Sequence, residues 1–291
     1  MLRTQKFMLV LIALLLAPLS IAAPVAYTQG LLWKIERTGQ APSYLFGTIH
    51  SEDSRVLTLP TPVQSAFDKA QRFVMEAVLD ANAMQTMLGA MMFTDGRTLQ
   101  QTVSVASYQK TVAAMAGYGL PEEALQLMKP WAVAVTLSMP KPKTGQVLDL
   151  VLMRKATEQG KQTAGLESVE EQLGIFDQLS LREQAIMLED TLKHLPEMEK
   201  IFAELHAAYL ARDLARLMRI SDEMMAKGNR ALGKKVMHQL VDVRNRRMVE
   251  RMEAYLKQGN AFIAIGALHL PGEVGVLNLL ARKGYRVRAV Y

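Results

Sequence analysis

The sequence predicts an α/β fold: a central mixed sheet built from two βαβ-type units, one near each end of the chain, with a large helical insertion between them. Two observations at the ends and one in the middle predict it. Tyr44-Leu-Phe-Gly-Thr-Ile-His50 and Ala261-Phe-Ile-Ala-Ile-Gly-Ala-Leu-His269 are apolar runs that both close on Gly-x-x-His. Each is followed by a loop, a helical pattern and a second apolar run, the order of strand, crossover helix and strand. The chain between the two units, about residues 82–257, reads as helix.

Taken in order, residues 1–22 have the form of a secretory signal. Arg3 and Lys6 make a positive start, Phe7 to Ala17 an apolar core, and Ser20-Ile-Ala22 a small-residue cleavage site. The apolar run is short for a bilayer and is interrupted by Pro18, so export to the periplasm or outside is expected, with no stable membrane span left afterwards. Residues 23–291 then form a single domain. Residues 31–37 alternate as a strand, Thr38 to Pro42 turn, and 43–49 form the second strand of a hairpin. Residues 51–60 are a polar loop. Thr61-Pro62 is a helix start, with Thr as cap and Pro as first helical residue, and the helix runs to about Ala70. Residues 72–78 are a strand with Glu76 inside it. At the other end, Gly272 to Arg282 reads as a helix stopped by Gly284, and residues 285–291 as a strand.

The helical insertion contains candidate helices at 82–93, 98–117, 121–138, 146–159, 168–178, 180–194, 196–227 with a break, and 231–257. Ser168-Val-Glu-Glu171 and Ser180-Leu-Arg-Glu183 fit the capping box. Lys161 to Glu167 is a candidate short strand. Met139-Pro-Lys-Pro-Lys-Thr-Gly145 is a basic, proline-broken loop.

Composition narrows the function classes. The chain has no cysteine, which excludes disulfides, a thiolate metal site and a lipidated cysteine. Its net charge is +6, and loss of residues 1–22 would leave +4. No basic stripe with interleaved aromatics accompanies that charge, so a nucleic-acid partner is not expected. Nineteen methionines fit flexible helix filler better than a soft-metal site. Ser138-Met-Pro-Lys141 and Lys143-Thr-Gly145 mimic motifs of penicillin-recognising enzymes, but they nearly touch in a broken loop.

The candidate chemistry lies at the strand ends. Parallel strands of one sheet bring His50 and His269 to a shared carboxyl edge, where open α/β sheets bind ligands. Glu76 follows the first crossover and is the natural third member. Two His and a carboxylate suit a zinc, manganese or iron ion with open positions. They equally suit a metal-free scheme in which one group activates water. In Val243-Arg-Asn-Arg-Arg247 the default is a solvated helix face, yet a helix interior seldom selects Asn. Arg244 and Asn245 are therefore candidates to point inward and hold a carboxylate or an oxyanion. His194, His206 and His238 lack metal-ligand spacing.

At these residues the chain resembles the TraB/GumN (PrgY) family, to which the Tiki metalloproteases are related. The resemblance rests on Leu32-Trp-Lys34 before Gly47-Thr-Ile-His50, then Glu76, Asp149, Gly165-Leu-Glu167 with Gln172, Arg244-Asn245, and Gly266-Ala-Leu-His-Leu-Pro-Gly272 with Gly275. It implies the α/β fold shared with erythromycin-esterase and ChaN-like proteins. It implies a hydrolase site of His50, Glu76, Arg244 and His269, with Asn245 and Glu167 in support. For Tiki-like members it implies peptide cleavage dependent on a divalent transition metal such as manganese, cobalt or zinc, held by His50, His269 and Glu76. Other relatives carry different expectations: a non-enzymatic binder of peptide or haem in the same cleft, or a metal-free ester or lactone hydrolase. The expected partner is a peptide or small ester-like substrate.

Overall fold

The computed structural model describes residues 27–291; the signal expected at residues 1–22 lies outside them. The elements that position the site are β1 (Leu32–Glu36), β2 (Ser43–Thr48), α1 (Thr61–Lys69), β3 (Arg72–Met75), α2 (Leu148–Glu158), β4 (Gln162–Gly165), α3 (Val169–Asp177), α4 (Arg244–Gln258), β5 (Ala261–Gly266), α5 (Val276–Arg282) and β6 (Arg286–Ala289). They build an α/β protein around one six-stranded mixed sheet of order β4-β3-β5-β2-β1-β6.

Only β1 runs against its neighbours; β4, β3, β5 and β2 are mutually parallel. The C-terminal strand β5 therefore lies between β2 and β3 of the N-terminal unit, and the two units share one sheet. Its composition explains the place. Ala261 to Ile265 are at most 1% exposed, because both faces of a central parallel strand are covered and near-continuous apolar side chains suit it. Phe262 packs edge-on against Phe67 of α1, ring centroids 5.2 Å apart, which fastens the first crossover helix to the second unit's strand. A separate apolar core around Leu99, Trp131, Leu137 and Leu188 holds the insertion together. Trp131 stacks on Phe176 at 5.5 Å and donates its indole N–H to Asp177 at 3.1 Å.

Several boundaries differ from the sequence expectation. β3 ends at Met75, so Glu76 stands just past the strand rather than inside it. Helix α1 starts at Thr61 with Pro60 as its unbonded cap, and the Pro60 carbonyl accepts the Gln64 N–H at 2.9 Å. The polar loop after His50 contains one helical turn, Ser54–Leu57, capped by Asp53. Helix α5 begins only at Val276, since Pro271 to Gly275 form a turn with the Gly275 N–H on the Gly272 carbonyl. The expected helix 98–117 is broken at Val103 and Ser104, and 121–138 at Met128 and Lys129. Residues 231–257 are interrupted by a π-helical stretch, His238–Val243, that runs straight into Arg244. Both capping boxes form, at Ser168 and at Ser180.

Candidate functional site

The parallel register puts the chemistry at one edge. Thr48 of β2 pairs with Gly266 of β5, and Met75 of β3 with Ala264. His50, Glu76 and His269 thus follow the ends of three adjacent strands, beyond the carboxyl edge of the sheet. The two motif glycines serve this edge for different reasons. A methyl on Gly47 would lie 2.7 Å from Leu270 Cδ1 and 3.2 Å from Ala267, so the first motif is bare where the second folds over it. A methyl on Gly266 would lie 3.3 Å from Glu76 Oε1, so the second is bare where the carboxylate approaches.

Glu76 is tied from several directions. Its Oε1 accepts the Gly266 N–H at 2.7 Å, and its Oε2 accepts from Arg244 at 2.6 Å and from Gln172 at 3.2 Å. Arg244 turns its Nε to Glu167 at 2.8 Å, so one guanidinium bridges two carboxylates. The Glu167 side chain is fully buried and also takes Arg247 at 3.2 Å. The fork geometry of arginine permits this double hold where lysine would not. The Arg247 and Arg251 side chains, on what the sequence reads by default as a solvated helix face, reach across to Glu167 and Glu171.

Asn245 is fully buried beside Arg244, and the two belong to the same inward face of α4 as Met248 and Val249. Its Nδ2 donates to the Val274 carbonyl at 2.9 Å, which fixes the amide orientation. Its Oδ1 must therefore accept, and it lies 2.6 Å from His269 Nδ1. The proton of His269 is on Nδ1, and Nε2 carries a free lone pair. That Nε2 faces Glu76 Oε1 at 3.6 Å.

The electrostatics keep this pair unprotonated. Burial pushes the His269 imidazole down to about 4, the positive field of Arg244 adding to the effect and the charge of Glu76 opposing it. Burial works to raise the Glu76 carboxyl, but the positive fields of His269 and Arg244 and the Gly266 and Arg244 hydrogen bonds outweigh it and hold it at about 2. At neutral pH His269 is uncharged, so Arg244 and the Gly266 amide carry that stabilisation. The result is a lone pair facing a carboxylate with no proton between them, an arrangement that only a cation or a hydrogen-bond donor such as water satisfies.

His50 stands apart from this cluster. Its side chain is 58% exposed, and its recorded partner is Asp149, whose Oδ2 lies 3.3 Å from His50 Nδ1. Asp149 Oδ1 accepts the Thr48 hydroxyl at 2.8 Å. Burial raises the Asp149 carboxyl, His50 and Thr48 oppose the rise, and the charge of Glu76 adds to it, so the two carboxylates feel each other across the edge. Asp149 entered the sequence reading only as part of the resemblance; an acidic residue in the first turn of a helix is ordinary there. Gln172, which joins Glu76 to Glu167, was likewise left without a site role.

The structure thus brings Glu76, Glu167, Arg244, Asn245 and His269 into one network and leaves His50 on a second arm with Asp149. Among the described residues, no three His, Cys, Asp or Glu side chains are grouped closely enough to hold a metal ion, so the expected trio of His50, His269 and Glu76 does not form one coordination sphere here. The donor types fit a divalent cation, and the facing acceptors of His269 and Glu76 are the two that could ligate one.

The sequence model of the TraB/PrgY/gumN family matches residues 31–289. The chain belongs to that family. Curated relatives are named metalloproteases: TIKI1 of Danio rerio is 24% identical over 91% of this chain and 64% of its own length. TIKI2 of Danio rerio is 25% identical over 88% of this chain and 60% of its own length, and TIKI1 of Homo sapiens 25% identical over 88% and 61%. The chain therefore spans about three fifths of the length of these relatives. No solved structure matches it. No helix of the described residues is long and apolar enough to cross a membrane.

Proposed function

We propose that this chain is a metal-dependent hydrolase that cuts peptide bonds, with a divalent cation held by His269 Nε2, Glu76 and His50. The observation that carries the reading is the unprotonated pair, His269 Nε2 opposite Glu76 Oε1 at 3.6 Å, at the carboxyl edge of a parallel sheet. The relatives' names, metalloproteases, support it. A bound cation would supply a water ionised near pH 7. The protein's own residues supply the rest. Asn245 keeps His269 in the tautomer that offers Nε2. Arg244 balances Glu76 and Glu167, so that the ring and the carboxylate coexist in a buried site. Glu76, ionised at neutral pH, would share the cation with His269 through Oε1. His50, exposed at the rim of the second arm, would complete the cation's ligands through Nε2 once the cation draws the two arms together. We further propose export through residues 1–22, for which N-terminal sequencing of the mature protein is the check.

The test is cleavage of a mixed peptide library by the purified protein, with manganese, cobalt and zinc added singly and read by mass spectrometry. Cleavage that depends on added metal, stops with chelator and vanishes in His269→Ala is the expected result. Absence of metal uptake, with cleavage unchanged in His269→Ala, would overturn the reading.

A further inference from the structure

The two Gly-x-x-His arms present their rings to different helices, and the second partner has no role in the reading above. His269 Nδ1 meets Asn245 of α4; His50 Nδ1 meets Asp149 of α2. Asp149 sits in the first turn of its helix, where a carboxylate usually serves the helix end. The cap there is Val147, which makes no side-chain bond. The Asp149 side chain instead crosses to the end of β2, where the buried hydroxyl of Thr48 holds Oδ1. Its Oδ2 is buried without a hydrogen-bond partner, and His50 Nδ1 at 3.3 Å is the group that faces it. A buried carboxylate oxygen left unpartnered is costly.

A second contact ties the same two segments. Glu52, two residues after His50, accepts the backbone N–H groups of Lys143, Thr144 and Gly145 at 3.0, 2.8 and 2.8 Å, and the Thr144 hydroxyl at 3.1 Å. This clasp fixes the loop before α2 against the loop that carries His50. Asp149 and His50 are thereby held opposite each other from both sides.

We propose that Asp149 is the positioning residue of His50: it accepts the Nδ1 proton and so turns the Nε2 lone pair of an exposed ring toward the cleft, as Asn245 does for His269. Metal-binding and catalytic imidazoles are commonly oriented in this way, and loss of the orienting partner costs about 10–100-fold in metal affinity. The proposal deepens the hydrolase reading, but ring orientation is measurable without turnover, so the two can fail separately.

The experiment records the imidazole nitrogen resonances of the full chain with 15N-labelled histidine, on neutral rings, with His50 identified by loss of its signals in His50→Gln. The expected wild-type signature is Nδ1–H with a bare Nε2. In Asp149→Ala the ring moves toward Nε2–H, the form free histidine prefers, and affinity for Mn²⁺ or Zn²⁺ alone, by calorimetry, falls about 10–100-fold. Asp149→Asn keeps an acceptor oxygen and falls less, which separates orientation from a folding defect. A wild-type His50 protonated on Nε2 overturns the proposal whatever the variants do. So does a tautomer and an affinity unchanged in Asp149→Ala.

Discussion

His269 and His50 leave adjacent parallel strands after the same four-residue motif, yet they occupy opposite surroundings. The His269 side chain is 8% exposed, locked by a neutral amide and pressed against an ionised glutamate. The His50 side chain is 58% exposed and faces a carboxylate whose own ionisation burial disfavours. The repeated backbone sets direction; the partner side chain and the local dielectric set what the ring can do. A buried ring with a neutral partner stays a lone-pair donor. An exposed ring held by a carboxylate on one nitrogen leaves the other open to the cleft and to solvent.

The comparison breaks most sharply under truncation of either ring. His269→Ala should lower peptide turnover on the order of 10²–10⁴-fold and also destabilise the fold, because Asn245 Oδ1 is left unpaired in the interior. His50→Ala should lower turnover within the same range with a smaller loss of melting temperature, since its ring is mostly exposed. Turnover and thermal denaturation measured side by side test the contrast; equal effects on stability would erase it.

Next in size is the support beneath the buried arm. Arg244→Gln strands Glu76 and Glu167 and should cost about 3–5 kcal/mol in urea denaturation. Arg251→Gln, which loosens a half-exposed contact with Glu171, should cost about 0–1 kcal/mol by the same measurement.

Acid should sharpen the difference further. Folded His269 stays neutral down to about pH 4, whereas the same imidazole in the unfolded chain takes its proton near 6.5. The unfolded chain therefore binds more protons across that window, and stability falls as the pH drops from 6.5 to 4, by a few kcal/mol at order of magnitude. The slope should be visible in metal-free protein and flattened in His269→Gln. A profile that survives the substitution would trace the acid sensitivity to another group.

The smallest effect separates the two glycines. Gly47→Ala forces a methyl against Leu270 and the Ala267 backbone and should cost about 1–3 kcal/mol. Gly266→Ala meets the Glu76 carboxylate and the His269 ring less closely, at 3.3 and 3.5 Å, so it should disturb stability less and metal affinity more. Paired melting and calorimetric titrations distinguish them.

Much of this was legible because it is local. The apolar runs, the Gly-x-x-His endings and the flanking helix patterns mark the two units within a few dozen residues each. Asn in the inward pattern of α4 signalled that Arg244 and Asn245 turn inward. What could not be read was long-range. Nothing in the sequence says that β5 enters between β2 and β3, or that an aspartate 99 positions from His50 is the residue beside it. The different exposure of the two rings was hidden too, since both motifs look alike and burial is decided by which helices pack over them. The π-helical stretch before Arg244 has no local signature in composition.

The interleaving of strands has a consequence for how the protein comes to exist. β2 and β3 are synthesised early but are not neighbours in the finished sheet; their shared partner, residues 261–266, emerges from the ribosome almost two hundred residues later. Until then Glu76 has neither the Gly266 amide nor His269. A chain that ends before residue 261 thus cannot bring these groups together, and its sheet cannot close. Such distant pairing slows folding, and the facing pair of Glu76 and His269 assembles only after β5 has entered between β2 and β3.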